Sequence, residues 1–132
     1  MALIKRIIKL NHVEALVKIV KTIPNTSETV TISLATDLLR SNEELSGEPV
    51  TVAISSIETS LANSGQTDIV RNGEVIVNLF ENTTGVEFAY GADTTNSTSD
   101  IVVNMNQPGT VYMRLLKHHG YRPLFRPEQG VN

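Results

Sequence analysis

Along most of this chain apolar and polar residues alternate with a period of two, which predicts half-buried β-strands rather than helices. From His12 to Ile23, Val13, Ala15, Val17 and Ile19 alternate with Glu14 and Lys18 until Pro24 ends the run. Asn25-Thr26-Ser27-Glu28 supplies turn chemistry, and Thr29 to Leu34 resumes the alternation with Val30, Ile32 and Leu34 inward. Val50 to Ile57 repeats it, followed by a small, polar loop from Ser60 to Gln66. The sharpest local signal is Asn72-Gly73, set between two runs rich in β-branched residues. Both residues accept the positive φ of a type I′ turn, so residues 68–80 read as a hairpin with Val75, Val77 and Leu79 on one face. Beyond it, Glu81 to Gly85 reads as a turn, Val86, Phe88 and Tyr90 as a strand, and Gly91 to Asp100 as a long exposed loop. Ile101–Met105 and Thr110–Lys117 are two further strands, separated by a turn at Asn106-Gln107-Pro108-Gly109.

Eight or nine such segments with no βαβ pattern predict an all-β fold, an antiparallel two-sheet β-sandwich of plain or jelly-roll type. It has room for at most one short helix. The candidate is Thr36 to Leu45, with apolar Leu38, Leu39 and Leu45, a polar entry, and a stop at Gly47 and Pro49. Residues 1–117 form the sandwich domain. Residues 118–132 form an extended arm held open by Pro123 and Pro127. Tyr121, Leu124 and Phe125 give that arm more apolar area than a solvated tail needs, which predicts docking on its own domain or a neighbour.

At 132 residues the chain is one domain, able to bury roughly two thirds of its unfolded surface. The absence of Cys excludes thiolate catalysis, disulfides and Cys-ligated metals, and fits synthesis in a reducing cytoplasm. Lys5, Arg6 and Lys9 interrupt the first apolar run, so neither a signal-peptide core nor a membrane span is expected. The sequons at Asn25, Asn82 and Asn96 are read as unglycosylated. The net charge of −3 hides an uneven distribution. Residues 1–21 carry Lys5, Arg6, Lys9, Lys18 and Lys21 against Glu14, a balance of +4. Residues 114–132 carry Arg114, Lys117, Arg122 and Arg126 against Glu128, a balance of +3, and the stretch between them stands at −10. Termini that meet in space would make a basic pole suited to an acidic partner, while strand charges lying on a solvated face are the plainer reading.

No catalytic constellation emerges. His118 and His119 are neighbours on a strand and point to opposite faces, with only His12 as a further imidazole, so no metal is expected. Asp93, Asn96 and Asp100 lack the spacing and central glycine of a calcium loop. There is no Gly-x-Ser-x-Gly elbow and no Gly-rich loop opening a helix, which argues against hydrolase and nucleotide chemistry and leaves no cofactor to expect. Phe88, Tyr90 and Tyr112 could stack bases, but acidic surroundings and a pI near 5.6 oppose nucleic acid.

Three local patterns carry a resemblance: Arg71-Asn72-Gly73-x-Val75-x-Val77, then Ser99-Asp100-Ile101-Val102-Val103, then Tyr112-x-x-Leu115-x-Lys117-x-x-Gly120-Tyr121. Together they cover about the C-terminal half of the chain, and the chain resembles the small β-sandwich virion proteins of short-tailed bacteriophages of aquatic hosts. That resemblance implies a non-enzymatic capsid decoration, or cement, protein on the capsid exterior. Such a protein would act as a homodimer or homotrimer and bridge major capsid protein subunits, with no nucleic acid or membrane partner. Lys5, Arg6, Lys9, Tyr121, Arg122, Leu124, Phe125 and Arg126 are the expected partner-binding residues. A head-to-tail connector, a tail accessory protein and a carbohydrate-binding module are the alternatives. The last lacks tryptophan for a sugar platform.

Overall fold

The computed structural model describes residues 3–62, 65–80, 83–87 and 98–124, the segment 83–87 by its backbone alone. Midway along the chain is an exposed hairpin tip, where Asn72 (φ 52°) and Gly73 (φ 75°) both occupy the left-handed region that a type I′ turn requires. On either side run Gln66–Arg71 (β6) and Glu74–Phe80 (β7), paired antiparallel.

The remaining strands flank that hairpin in the sequence. In chain order they are Ile4–Leu10 (β1), Glu14–Lys21 (β2), Glu28–Ile32 (β3), Glu43–Leu45 (β4) and Thr51–Leu61 (β5). After the hairpin come Thr83–Glu87 (β8), Ile101–Met105 (β9), Gly109–His119 (β10) and Tyr121–Pro123 (β11). One sheet has the order β1-β2-β10-β5-β8, the other β3-β9-β6-β7, and β11-β4 is a separate two-stranded ribbon. Moving outward from β6–β7, strand β5 pairs with β8, β3 with β9, and β2 with β10. The eight strands thus form one long hairpin whose successive pairs fall alternately into the two sheets. This is the topology of a jelly roll, which hides its backbone polar groups in two packed sheets.

The alternation buries one face of each sheet. Ala15, Val17 and Ile19 from β2, Val111, Met113 and Leu115 from β10, and Val52, Ile54 and Ile57 from β5 meet Ile69, Ile101, Val103 and Met105 of the opposite sheet. Fully burying side chains of this size stabilises by about 1.5–3 kcal/mol each before chain entropy opposes it.

Two expectations are corrected. The register shifts between Ile69 and Val70, which pair with Val77 and Val75 respectively, so Ile76 is the extra residue of a bulge. Val75 is therefore turned to solvent, 52% exposed, while Leu79 stays buried. The segment Thr36–Leu45 is not helical. Asp37 N–H donates to the Ser33 carbonyl (2.9 Å) while its carboxylate accepts from Ser33 N–H (2.7 Å), closing a turn at residues 34–38. Asp37 thus spends its side chain on a local bond that competes with helix, and Glu43–Leu45 is drawn out as β4 by pairing with β11.

Strand β1 carries a register shift between Ile7 and Lys9, where the tandem Ile7-Ile8 breaks the alternation. Strand β10 runs two residues past Lys117. Gly120 then turns the chain at φ 99°, where an added Cβ would lie 2.5 Å from Val50 Cα. The first part of the expected arm thus lies on its own domain as β11. Residues 91–97 of the expected loop, Phe88, Tyr90, and the arm from Phe125 onward lie outside the described residues.

Candidate docking face

Since β1, β2 and β10 are neighbours, Lys5, Arg6, Lys9, Lys18 and Lys21 of one chain end share a sheet with Arg114 and Lys117 of the other. Inward positions of β2 are Ala15, Val17, Ile19 and Lys21, so Leu16, Lys18 and Val20 face outward. Pairing then builds the outer face row by row. Ile4 lies opposite Val20, Arg6 opposite Lys18, and Lys9 opposite Leu16, while Tyr112 and Arg114 of β10 extend the last two rows.

Arg6 and Lys18 have no ion-pair partner among the described residues, although like charges directly opposite on neighbouring strands destabilise a sheet. The Lys18 ammonium stands 5.9 Å from the centre of the Tyr112 ring, a contact that neutralises no charge. Exposed apolar residues flank the pair, Ile4 at 44% and Ile8 at 51%. Lys9 and Arg114 converge on Glu14, at 2.6 and 3.4 Å, and the hydrogen bond from Lys9 holds that carboxyl below its ordinary range. Glu58, opposite Tyr112 on β5, closes the central row with a carboxylate.

The other expected contact residues are placed differently. Lys5 points to the opposite side of β1, where its ammonium donates to the Thr31 carbonyl (2.9 Å) and the Asp37 carboxylate (2.5 Å). Tyr121 is half-buried on β11. Its hydroxyl donates to the Leu34 carbonyl, and burial pushes its pKa far above the ordinary tyrosine value. Arg122 pairs with Glu44, and Leu124 is exposed while its N–H donates to Asn42 O (2.8 Å). Both chain ends therefore reach the single turn at residues 34–38, Lys5 through Asp37 and Tyr121 through Leu34. Phe125 and Arg126 lie outside the described residues.

Other cations turned out to be interior. Arg71 is fully buried, its Nη1 donating to Val52 O (2.7 Å) and its Nε and Nη2 to Ser99 O (3.1 and 2.7 Å), which ties the hairpin to both β5 and the entry of β9. The Lys117 ammonium donates to Glu43 Oε1 (2.8 Å) and Asn11 O (3.0 Å) and stands 4.3 Å from the centre of the Tyr121 ring. Burial pushes the Glu43 carboxyl up, but hydrogen bonds from Lys117 and the Arg40 N–H outweigh it and hold the pKa below 4.5. Lys21 is likewise buried against Glu28 (2.8 Å) and Thr26 (3.1 Å). A period-two signal was available for all three. Each occupies an inward position of its own strand, as in Val111, Met113, Leu115, Lys117.

His12, His118 and His119 are exposed, and among the described residues no three His, Cys, Asp or Glu side chains are grouped to hold a metal ion. No protein-family model, curated protein or solved structure matches the chain.

Proposed function

We propose that this chain is a non-enzymatic virion structural protein, a capsid decoration protein that lays the outer face of its five-stranded sheet on an acidic surface of the major capsid protein. The observation that supports this most is the Arg6–Lys18 pair: two facing cations with no carboxylate partner among the described residues, set among exposed Ile4 and Ile8. An anionic partner would relieve that repulsion, and the aliphatic residues around it would be covered in the same step. Self-association into a dimer or trimer belongs to the proposal, because β1 lies at the edge of its sheet, where a second subunit would cover its unpaired backbone groups. Repetition over a lattice lets each contact be weak while the assembly holds.

The test is co-sedimentation of the purified protein with undecorated capsid shells. Arg6→Glu with Lys18→Glu should weaken capture on the order of 100-fold, and raising salt toward 0.5 M should weaken the wild type in the same direction. Capture that is unchanged by both the charge reversal and the salt would remove this face as the docking surface.

A further inference from the structure

The opposite outer face, on the four-stranded sheet, has a different chemistry. Asn78 of β7, Asp68 of β6 and Asn104 of β9 stand opposite one another across three neighbouring strands, about 4.8 Å apart from strand to strand. In the next row Phe80 lies opposite Gln66, and its ring is among the most exposed large apolar side chains, at 62%. Gln66, Asp68, Asn104 and Ser27 line a cleft of about 120 Å³ at the end of this sheet.

The hydrogen-bonding capacity of the cleft is only partly used. Gln66 Nε2 donates to Asp68 Oδ1 (2.9 Å), which orients the carboxylate and leaves Oδ2 without a donor among the described residues. The carboxamides of Asn104, in the cleft, and of Asn78, two strands over on the same row, make no side-chain hydrogen bond among the described residues either. One acceptor-only group between two groups that both donate and accept suits adjacent hydroxyls, each of which is itself donor and acceptor. The exposed ring beside the row offers an apolar plate for the C–H face of a pyranose. No cation lies on the outer faces of β6, β7 or β9, so phosphate, sulfate and carboxylate ligands have no counter-charge, and one carboxylate is too few for calcium.

We propose that this cleft binds neutral saccharides, with Asp68, Asn104 and Gln66 holding ring hydroxyls and Phe80 stacking on the sugar. The site is separate from the docking face and stands whether or not that face engages a capsid.

The experiment is a titration of the isotope-labelled full chain with cellotetraose, maltotetraose and an α-mannotetraose, each to about 10 mM, with a heparin tetrasaccharide as the anionic control. Saturable shifts of the Gln66, Asn78 and Asn104 side-chain amides with at least one neutral probe are expected. Phe80→Ala and Asp68→Asn should each weaken that binding about tenfold while circular dichroism and the urea midpoint stay in place. Should either variant misfold, Asn104→Ala substitutes for it with the same expectation. Absence of shifts with all three neutral probes, affinity unchanged in the folded variants, or binding of the heparin fragment alone would overturn the proposal.

Discussion

Replacing Lys117 with Met tests the reasoning about the buried charges most sharply. The side chains of Lys117 and Glu43 are 0% and 3% exposed, so neither charge is screened by bulk water. Lys117→Met keeps much of the aliphatic volume but leaves the Glu43 carboxylate with only the Arg40 N–H, and Asn11 O without its ammonium donor. Breaking a buried pair from one side costs about 3–5 kcal/mol, whereas replacing both partners by apolar side chains is close to neutral. For a domain whose whole stability is about 5–15 kcal/mol, the single substitution should be plain in a urea melt at pH 7. Lys117→Met combined with Glu43→Leu should recover most of the loss, giving a coupling of about 2 kcal/mol or more. The pH dependence fixes the sign. Without Lys117, burial dominates and raises the Glu43 carboxyl, so the deficit of Lys117→Met should shrink as acid neutralises Glu43. A loss below about 1 kcal/mol that is the same at pH 4 and pH 7, or a double variant no better than the single one, would refute the argument.

Two further outcomes follow from the fold. Gly73→Ala has open space around the new Cβ and should cost only the left-handed strain of about 1–2 kcal/mol, whereas Gly120→Ala adds a clash with Val50 and should cost distinctly more. Urea midpoints for the two variants would show the order, and equal losses would contradict it. Glu14, Glu28 and Glu43 all have depressed carboxyl pKa values. The stability they contribute is therefore present above pH 4.5 and lost as the pH falls through their folded values, so the thermal midpoint should drop in acid more steeply for the wild type than for a Glu28→Gln variant.

Much of this fold could be read from residue order because the alternation has no competitor over most of its length. The Asn72-Gly73 tip, the strands at Ile101–Met105 and Thr110–Lys117, and the two-sheet class follow directly from local chemistry. Strand partners do not. That β2 lies beside β10 is a contact between residues about 90 positions apart, set by how the long hairpin rolls rather than by anything either segment carries. Ile76 shows the other limit, since one bulged residue turns Val75 out to solvent while Leu79 keeps its inward place. The buried cations were misjudged for a different reason. Charge summed by segment placed Lys21 and Lys117 on an outer pole, while their parity along the strand put them inside, and parity decides because Glu28 and Glu43 wait there as partners. Of the candidate cations among the described residues, Arg6 is the one left facing outward without a counter-charge, since Lys5, Lys9 and Arg122 are each paired.

The most direct test of the assembly reading is quantitative mass spectrometry of purified virions assembled with this chain present. A decoration protein should be found in whole particles at a copy number commensurate with that of the major capsid subunit, and should be released by salt before the shell breaks. Its absence from particles, or a copy number matching a single portal ring, would contradict the account.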